Sequence, residues 1–215
     1  GDEARYRALL DWGLLLALVL AVPCALGLAL MAEPLTTLIF HYGRFRTLDV
    51  QMTSLVIQAY ALGLPGLIAV KVLAPGFFAR QNVRTPVRIA LAVLVITQLL
   101  NLLTVPWLAH AGLAVSTSLA ALLNAGLLMA GLIRAGAWGP GPGWWRLGGQ
   151  VGLAGALMAA MLALTVPRID WIALGNQPVL RAASVLGLVA AGGLVYGVVL
   201  LACGLRPRQF MRREQ

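Results

Sequence analysis

Long stretches without a single charged residue alternate along this chain with short polar breaks. Uncharged, mostly apolar runs cover residues 12–32, 50–70, 89–109, 111–133, 147–167 and 182–205. Each reaches the roughly 20 residues that a membrane-crossing helix needs, so the pattern predicts an all-α, polytopic bundle of about six spans. The breaks add detail. Asp11 is expected to open the first span, its carboxylate suiting a helix N-terminus. Pro34 is placed to begin a short interfacial helix in the connection that follows, and Asp49 to start the second span. Thr85-Pro86 reads as an N-cap with proline at the first position of the third span. His110 and Gly112 leave room only for a very short turn, so the third and fourth spans form an antiparallel hairpin. On the fourth span Ser116, Ala120 and Asn124 recur every four residues, a seam expected against the third or first span.

Residues 135–146 form the clearest composition break, a Gly/Pro/Trp linker whose AGAWGPGPGWW run disfavours helix. It divides a four-span part, residues 1–134, from a two-helix hairpin, residues 147–205. That hairpin is almost free of polar groups and carries Gly148xxxGly152 and Gly193xxxGly197, so its faces suit lipid or an acyl chain. Residues 206–215 are a basic tail in which Arg206, Arg208, Arg212 and Arg213 flank Phe210 and Met211, as in juxtamembrane anchors.

Composition agrees: of 215 residues 60% are hydrophobic and 11% charged, and the mean hydropathy is +0.89. A net charge of +9 would suit nucleic acid, but the arginines are scattered between apolar spans and make no single basic face. Membrane orientation explains them. With the N-terminus inside, only Arg44, Arg46, Arg168 and Arg181 of the 16 basic residues fall outside, which predicts N-in, C-in topology. Cys24 and Cys203 lie in apolar runs as small hydrophobes, without ligand-spaced partners, so no metal site is expected. The opening GDEARYRALLDWG is no signal peptide, and it reads as the cut end of something longer.

A few polar groups stand inside the spans. Lys71, the only lysine, follows an uncharged run that could cross a bilayer by itself. If its helix continues to Arg80 at the headgroups, Lys71 sits on the order of 13 Å inside. An ammonium at that depth costs about 2.5–3.5 kcal/mol and should face protein or water, although its long stem could snorkel. Gly63, Pro65, Pro75 and Gly76 flank it as candidate hinge positions of a bent helix. Gln98, Asn101 and Asn124 are candidate cavity or substrate-binding groups, with interhelical hydrogen bonding as the alternative. Arg80, Arg84 and Arg88 are candidates for a cytoplasmic gate or a headgroup contact. His41, a lone interfacial histidine, is not expected to be a ligand. P-loop, zinc-protease and nucleophile-elbow motifs are absent from the sequence, and no paired carboxylates are suitably spaced, so nucleophilic or metal hydrolysis has no visible machinery and an enzyme is not expected.

The run KVLAPGFFARQNVRTPVRIA resembles the signature region of the bacterial lipid II flippases, the MurJ/MviN family. PLTTLIFHYGRF, TQLLNLL, HAGLAVSTSLAALLNA and PGWWRL extend the resemblance over nearly the whole chain. The family belongs to the multidrug/oligosaccharidyl-lipid/polysaccharide exporter superfamily. The resemblance implies one lobe of a fourteen-span exporter fold, a C-terminal fragment whose final hairpin lines a lipid groove. It further implies a bacterial inner-membrane protein that flips the undecaprenyl-pyrophosphate-linked peptidoglycan precursor by alternating access against a missing N-terminal lobe. Membrane lipids are the other expected partner. No cofactor is implied, and coupling to an ion gradient or membrane potential stays open. Some family members hold sodium with an asparagine and an acidic residue one turn later, whereas Asn101 here is followed at that spacing by Val105. The rival readings are an O-antigen or other polysaccharide-lipid flippase, and a non-transporting membrane scaffold.

Overall fold

The computed structural model describes residues 2–141 and 143–205, with the side chains of Asp2 and Asn176 excepted; the basic tail, residues 206–215, lies outside the described residues. All regular structure among them is helical: α1 (Asp2–Leu30), α2 (Ala32–Phe40), α3 (Thr47–Ala79), α4 (Arg84–Leu108), α5 (His110–Arg134), α6 (Gly143–Thr165) and α7 (Pro178–Ala202). Two 3-10 turns, Val166–Arg168 and Ala173–Asn176, join α6 to α7. Six of the seven helices are long and apolar enough to cross a membrane; α2 is the short helix expected at Pro34.

The bundle is organised about α1, which is apolar all round because it is packed on two sides. On one side Leu10 and Leu14 meet Leu73 and Phe77 of α3 and Leu128 and Leu132 of α5. On the other, Leu15, Leu18 and Val22 pack among Val151, Ala154 and Met158 of α6 and Val185 and Tyr196 of α7. The Tyr196 hydroxyl donates to the Val19 carbonyl at 2.8 Å and holds α7 to α1. At the edge of the bundle, α4 buries only Pro86 and Val93 and leans on α5.

Close approach of backbones fixes the α3–α5 seam. A Cβ placed on Gly63 would lie 2.6 Å from Ser118 Cα, and one on Gly66 would lie 2.7 Å from the Ala121 carbonyl carbon. Only glycine permits that spacing. The fourth span therefore packs most closely on the second, while the expected contact with the third is made through Ser116, whose hydroxyl lies 2.7 Å from that of Thr104. A single residue, Ala109 at φ 48°, turns α4 into α5.

Several local expectations are corrected. Asp11 does not open a helix: α1 begins nine residues earlier, at Asp2, and the Asp11 carboxylate accepts hydrogen bonds from two indoles instead. Thr85 is not the N-cap of α4; its amide donates to Asn82 Oδ1 at 3.2 Å, and Arg84 is already helical. Helix α6 starts at Gly143, inside the stretch read as linker, because Trp144 and Trp145 lead directly into the apolar run. The Gly148, Gly152, Gly193 and Gly197 positions face outward with nothing within 4 Å of an added Cβ. Gly155, against Val22 and Leu26, and Gly192, against Met158 and Leu162, make the seams instead.

Candidate functional site

Polar groups inside this bundle are few, and the register of the helices gives their depths. Gly63 opposite Ser118 and Gly66 opposite Ala121 set α3 and α5 in step, which puts Asn124 level with Ala69 and Lys71 about one turn or less below it. In the antiparallel α4–α5 pair, Thr104 opposite Ser116 brings Gln98 to nearly the same level. Lys71, Asn124 and Gln98 thus fall within about 6 Å of depth, and Asn101 about 7 Å from Asn124 toward the other face, at 1.5 Å per residue.

Sharing a level does not bring these side chains together. No hydrogen bond joins any two of them among the described residues. Lys71 is exposed on a stripe of α3 that also carries Tyr60, Leu67 and Phe78, spaced seven, eleven and eighteen residues from its first member. Gln98 is likewise exposed, on α4. Asn101 and Asn124 are half-buried, and the Oδ1 atom of each is buried with no hydrogen-bond partner. Unpaired carboxamide oxygens at mid-span are costly unless something donates to them, which sets these two positions apart from the self-satisfied Thr97 and Ser54 hydroxyls.

Helix α3 runs unbroken from Thr47 to Ala79 through Gly63, Pro65, Pro75 and Gly76, so Pro75 and Gly76 do not end it early. Its 33 residues make about 50 Å, longer than the roughly 30 Å hydrocarbon core. Tilt or overhang must absorb the excess, and Lys71 therefore sits shallower along the bilayer normal than the full distance to Arg80 suggests. Gly76 admits α1 closely: Tyr6 donates its hydroxyl to the Gly76 carbonyl at 2.7 Å. The basic groups Arg80, Arg84 and Arg88 are exposed at the end of α3 and the start of α4, with Arg80 4.0 Å from Glu3.

Two cavities open at opposite ends. Toward the N-terminal end of α1, Asp11, Trp12, Trp144, Arg146 and Gln150 line one of about 230 Å³ between α1 and α6. Near the other end, Glu33, Gln51, Ser54, Leu55 and Gln58 line one of about 310 Å³ between α2 and α3. The second has the donors and acceptors for a hydroxyl-rich or amide-rich group.

Sequence patterning missed Arg181. Expected only to lie outside, it is 0% exposed, and its Nε and both Nη atoms lack partners. The signal available was Pro178, which suits the first position of a helix and so places Arg181 inside the first turn of α7.

The family model for lipid II flippase MurJ matches residues 1–175. The lipid II flippase MurJ of Burkholderia cenocepacia is 40% identical over 214 residues, covering all of this chain and 42% of that protein. The probable lipid II flippase MurJ of Haemophilus influenzae is 32% identical over 219 residues, with the same coverage. Among solved structures, the lipid II flippase MurJ in an inward closed conformation superposes with a TM-score of 0.74 at 21% identity, over 98% of this chain and 41% of that one. The chain thus spans about 42% of the length of these curated relatives.

Proposed function

The chain belongs to the lipid II flippase MurJ family, and on that premise we propose that its helices form the C-terminal lobe of an inner-membrane transporter that carries lipid-linked peptidoglycan precursor between leaflets. The observation that supports this most is the family match over residues 1–175, together with a helix arrangement shared over 98% of the chain. In this reading α1–α5 are the lobe proper, and α6–α7, with their outward glycine faces, run beside it as the wall of a lipid groove. The protein works by conformational change and not by covalent chemistry.

Lys71 is the group assigned to the precursor's anionic head. A bare ammonium facing lipid at this depth costs about 2.5–3.5 kcal/mol, so the exposed stripe Tyr60, Leu67, Lys71 and Phe78 is better suited to a water-filled space between lobes than to acyl chains. Asn101 and Asn124, with unpaired oxygens, serve as further polar groups on that side, and Gln98 extends them. Arg80, Arg84 and Arg88 sit where a cytoplasmic gate or the headgroups would meet them. Bending at Gly63, Pro65, Pro75 or Gly76 supplies the rocking motion.

The test is complementation of flippase-depleted cells by the full-length gene. The wild type restores growth and external exposure of the precursor; Lys71→Ala loses most of it and Lys71→Arg retains it. In a background without Cys24 and Cys203, a Lys71→Cys variant reacts with a membrane-impermeant thiol reagent. Failure of the wild type to complement overturns the transport reading, whereas full activity of Lys71→Ala removes only the role given to Lys71.

A further inference from the structure

At the end of the bundle opposite the N-terminus, the loop after α2 meets the 3-10 turn before α7. There Arg181 is fully enclosed, its guanidinium carbon 4.7 Å from the centroid of the Tyr42 ring. None of its three nitrogens has a hydrogen-bond partner, and the buried Nδ1 of His41 has none either. A Cβ placed on Gly175 would lie 3.9 Å from both Arg181 Nη1 and His41 Nδ1, so these two nitrogens flank one small gap, left open by the missing side chain of Gly175.

A guanidinium keeps its proton in any protein environment, so burial cannot neutralise it as it would a lysine. Its donors need an acceptor, and preferably a negative one. The protein supplies none among the described residues: the one ion pair there is Arg80 with Glu3, and Asp170 spends its Oδ1 on the amides of Ile172 and Ala173. The Tyr42 ring face compensates only in part. Arg181 also sits in the first turn of α7, where the helix dipole adds positive potential. Every local field at this point favours an anion.

We propose that the gap bounded by Arg181, His41, Tyr42 and Gly175 is a phosphate-class oxyanion site, separate from the Lys71 region and independent of the transport reading. The planar fork of Arg181 matches two oxygens of a phosphate, and His41 Nδ1 reaches a third side of it. The site lies at the start of α7, beside the connection from α6, at one end of the spans. A phospholipid headgroup and free phosphate share the required chemistry.

The intact protein, purified in a phosphate-free sugar detergent, is titrated with inorganic phosphate, with dioctanoyl phosphatidic acid, and with dioctanoylglycerol as the uncharged control. Thermal midpoint and calorimetric affinity are read for the wild type, Arg181→Met and His41→Ala. The expected result is a saturable rise in Tm with a phosphate probe and none with the control, with affinity reduced at least tenfold in Arg181→Met and several-fold in His41→Ala. Without probe, Arg181→Met should melt no lower than the wild type, because it replaces an unpaired charge with an apolar chain of similar length. A response to phosphatidic acid alone identifies a lipid headgroup, and a response to both identifies a site that free phosphate suffices to fill. Absence of any response in the wild type, or an undiminished response in both variants, overturns the site.

Discussion

Asp11 Oδ1 and Trp144 Nε1 stand 2.7 Å apart, and the same oxygen also accepts the Trp138 indole N–H at 3.2 Å. The two rings meet edge to face, 5.3 Å between centroids. A stretch of glycines and prolines that could wander is thereby fastened to α1 at two points, and Arg7 adds a third through the Gly136 carbonyl at 2.7 Å. Because α1 also carries the contacts to both halves of the bundle, the clamp couples the linker to the angle at which α6 leaves it.

Removing that carboxylate should loosen the linker more than the fold. Asp11→Ala leaves two indole donors without an acceptor, a loss of about 1–3 kcal/mol. Asp11→Asn keeps an acceptor oxygen and should lose less than half of that. Proteolysis at residues 135–142 reads the difference: cleavage accelerates in Asp11→Ala and stays near wild type in Asp11→Asn. Equal cleavage in all three would show that the indoles are held by packing alone.

The glycines divide into two classes with opposite expectations. Gly63→Ala and Gly66→Ala push a methyl into the backbone of α5 at 2.6–2.7 Å, which only separation of the helices can relieve. Overpacking of this kind costs about 1–3 kcal/mol or more. Gly152→Ala and Gly197→Ala meet nothing within 4 Å and should be neutral or stabilising by up to about 1 kcal/mol, since alanine loses less backbone freedom in a helix interior. Thermal midpoints of the four variants in one detergent give the comparison, and a Gly63→Ala variant as stable as wild type would contradict the seam. Any hinge at Gly63 would have to operate without parting this contact.

The six spans were legible because the lipid requirement for some 20 uncharged residues leaves an unmistakable mark on composition. What faces what was not. A GxxxG pattern states that a face is smooth, not that a partner lies on it; at Gly148, Gly152, Gly193 and Gly197 none does, while Gly155 and Gly192, outside any such pair, carry the packing. Asp11 looked like a helix opener because an aspartate before an apolar run is what a helix start requires, and its partners lie 127 and 133 residues away. Arg181 was counted only as one of the four basic residues outside, since the elements that enclose it, the loop at Tyr42 and the turn at Gly175, come from other parts of the chain. The place of Lys71 along its helix could be counted from the residues, but its depth depends on how the 33 residues of α3 tilt or overhang, and its outward direction on which face of α3 the neighbouring helices occupy.

A single hydroxyl holds α7 against α1, and its removal isolates that joint. Tyr196 is 6% exposed and donates to Val19, whose carbonyl receives no amide four residues on because that residue is Pro23. Tyr196→Phe should therefore cost about 1–3 kcal/mol, because it leaves that carbonyl unpaired, without opening a cavity. Hydrogen exchange should quicken in α7 and not in α3. A uniform increase along the chain would mean that the hairpin and the four-span part unfold as one unit.

The α4–α5 hairpin permits a more exacting test, since Thr104 has one hydroxyl proton and three oxygens within reach: Leu100 O at 2.9 Å, Gly112 O at 3.0 Å and Ser116 Oγ at 2.7 Å. The network closes if Ser116 donates to Thr104 and Thr104 donates on to the carbonyls. Thr104→Val keeps the shape and takes away the acceptor, but Ser116 can then turn to the Gly112 carbonyl four residues before it, as helical serines do. The cost is therefore small, about 0.6 kcal/mol and not above about 1.7 kcal/mol, the range of hydrogen bonds between membrane helices. Gly112→Ala is different in kind. Its methyl would lie 2.6 Å from the Thr104 carbonyl oxygen, at the one-residue turn where the helices cannot part. Unfolding in mixed micelles should rank Gly112→Ala well below Thr104→Val, with Ser116→Ala close to wild type. Were Thr104→Val the worst of the three, the polar network and not backbone proximity would be what closes this hairpin.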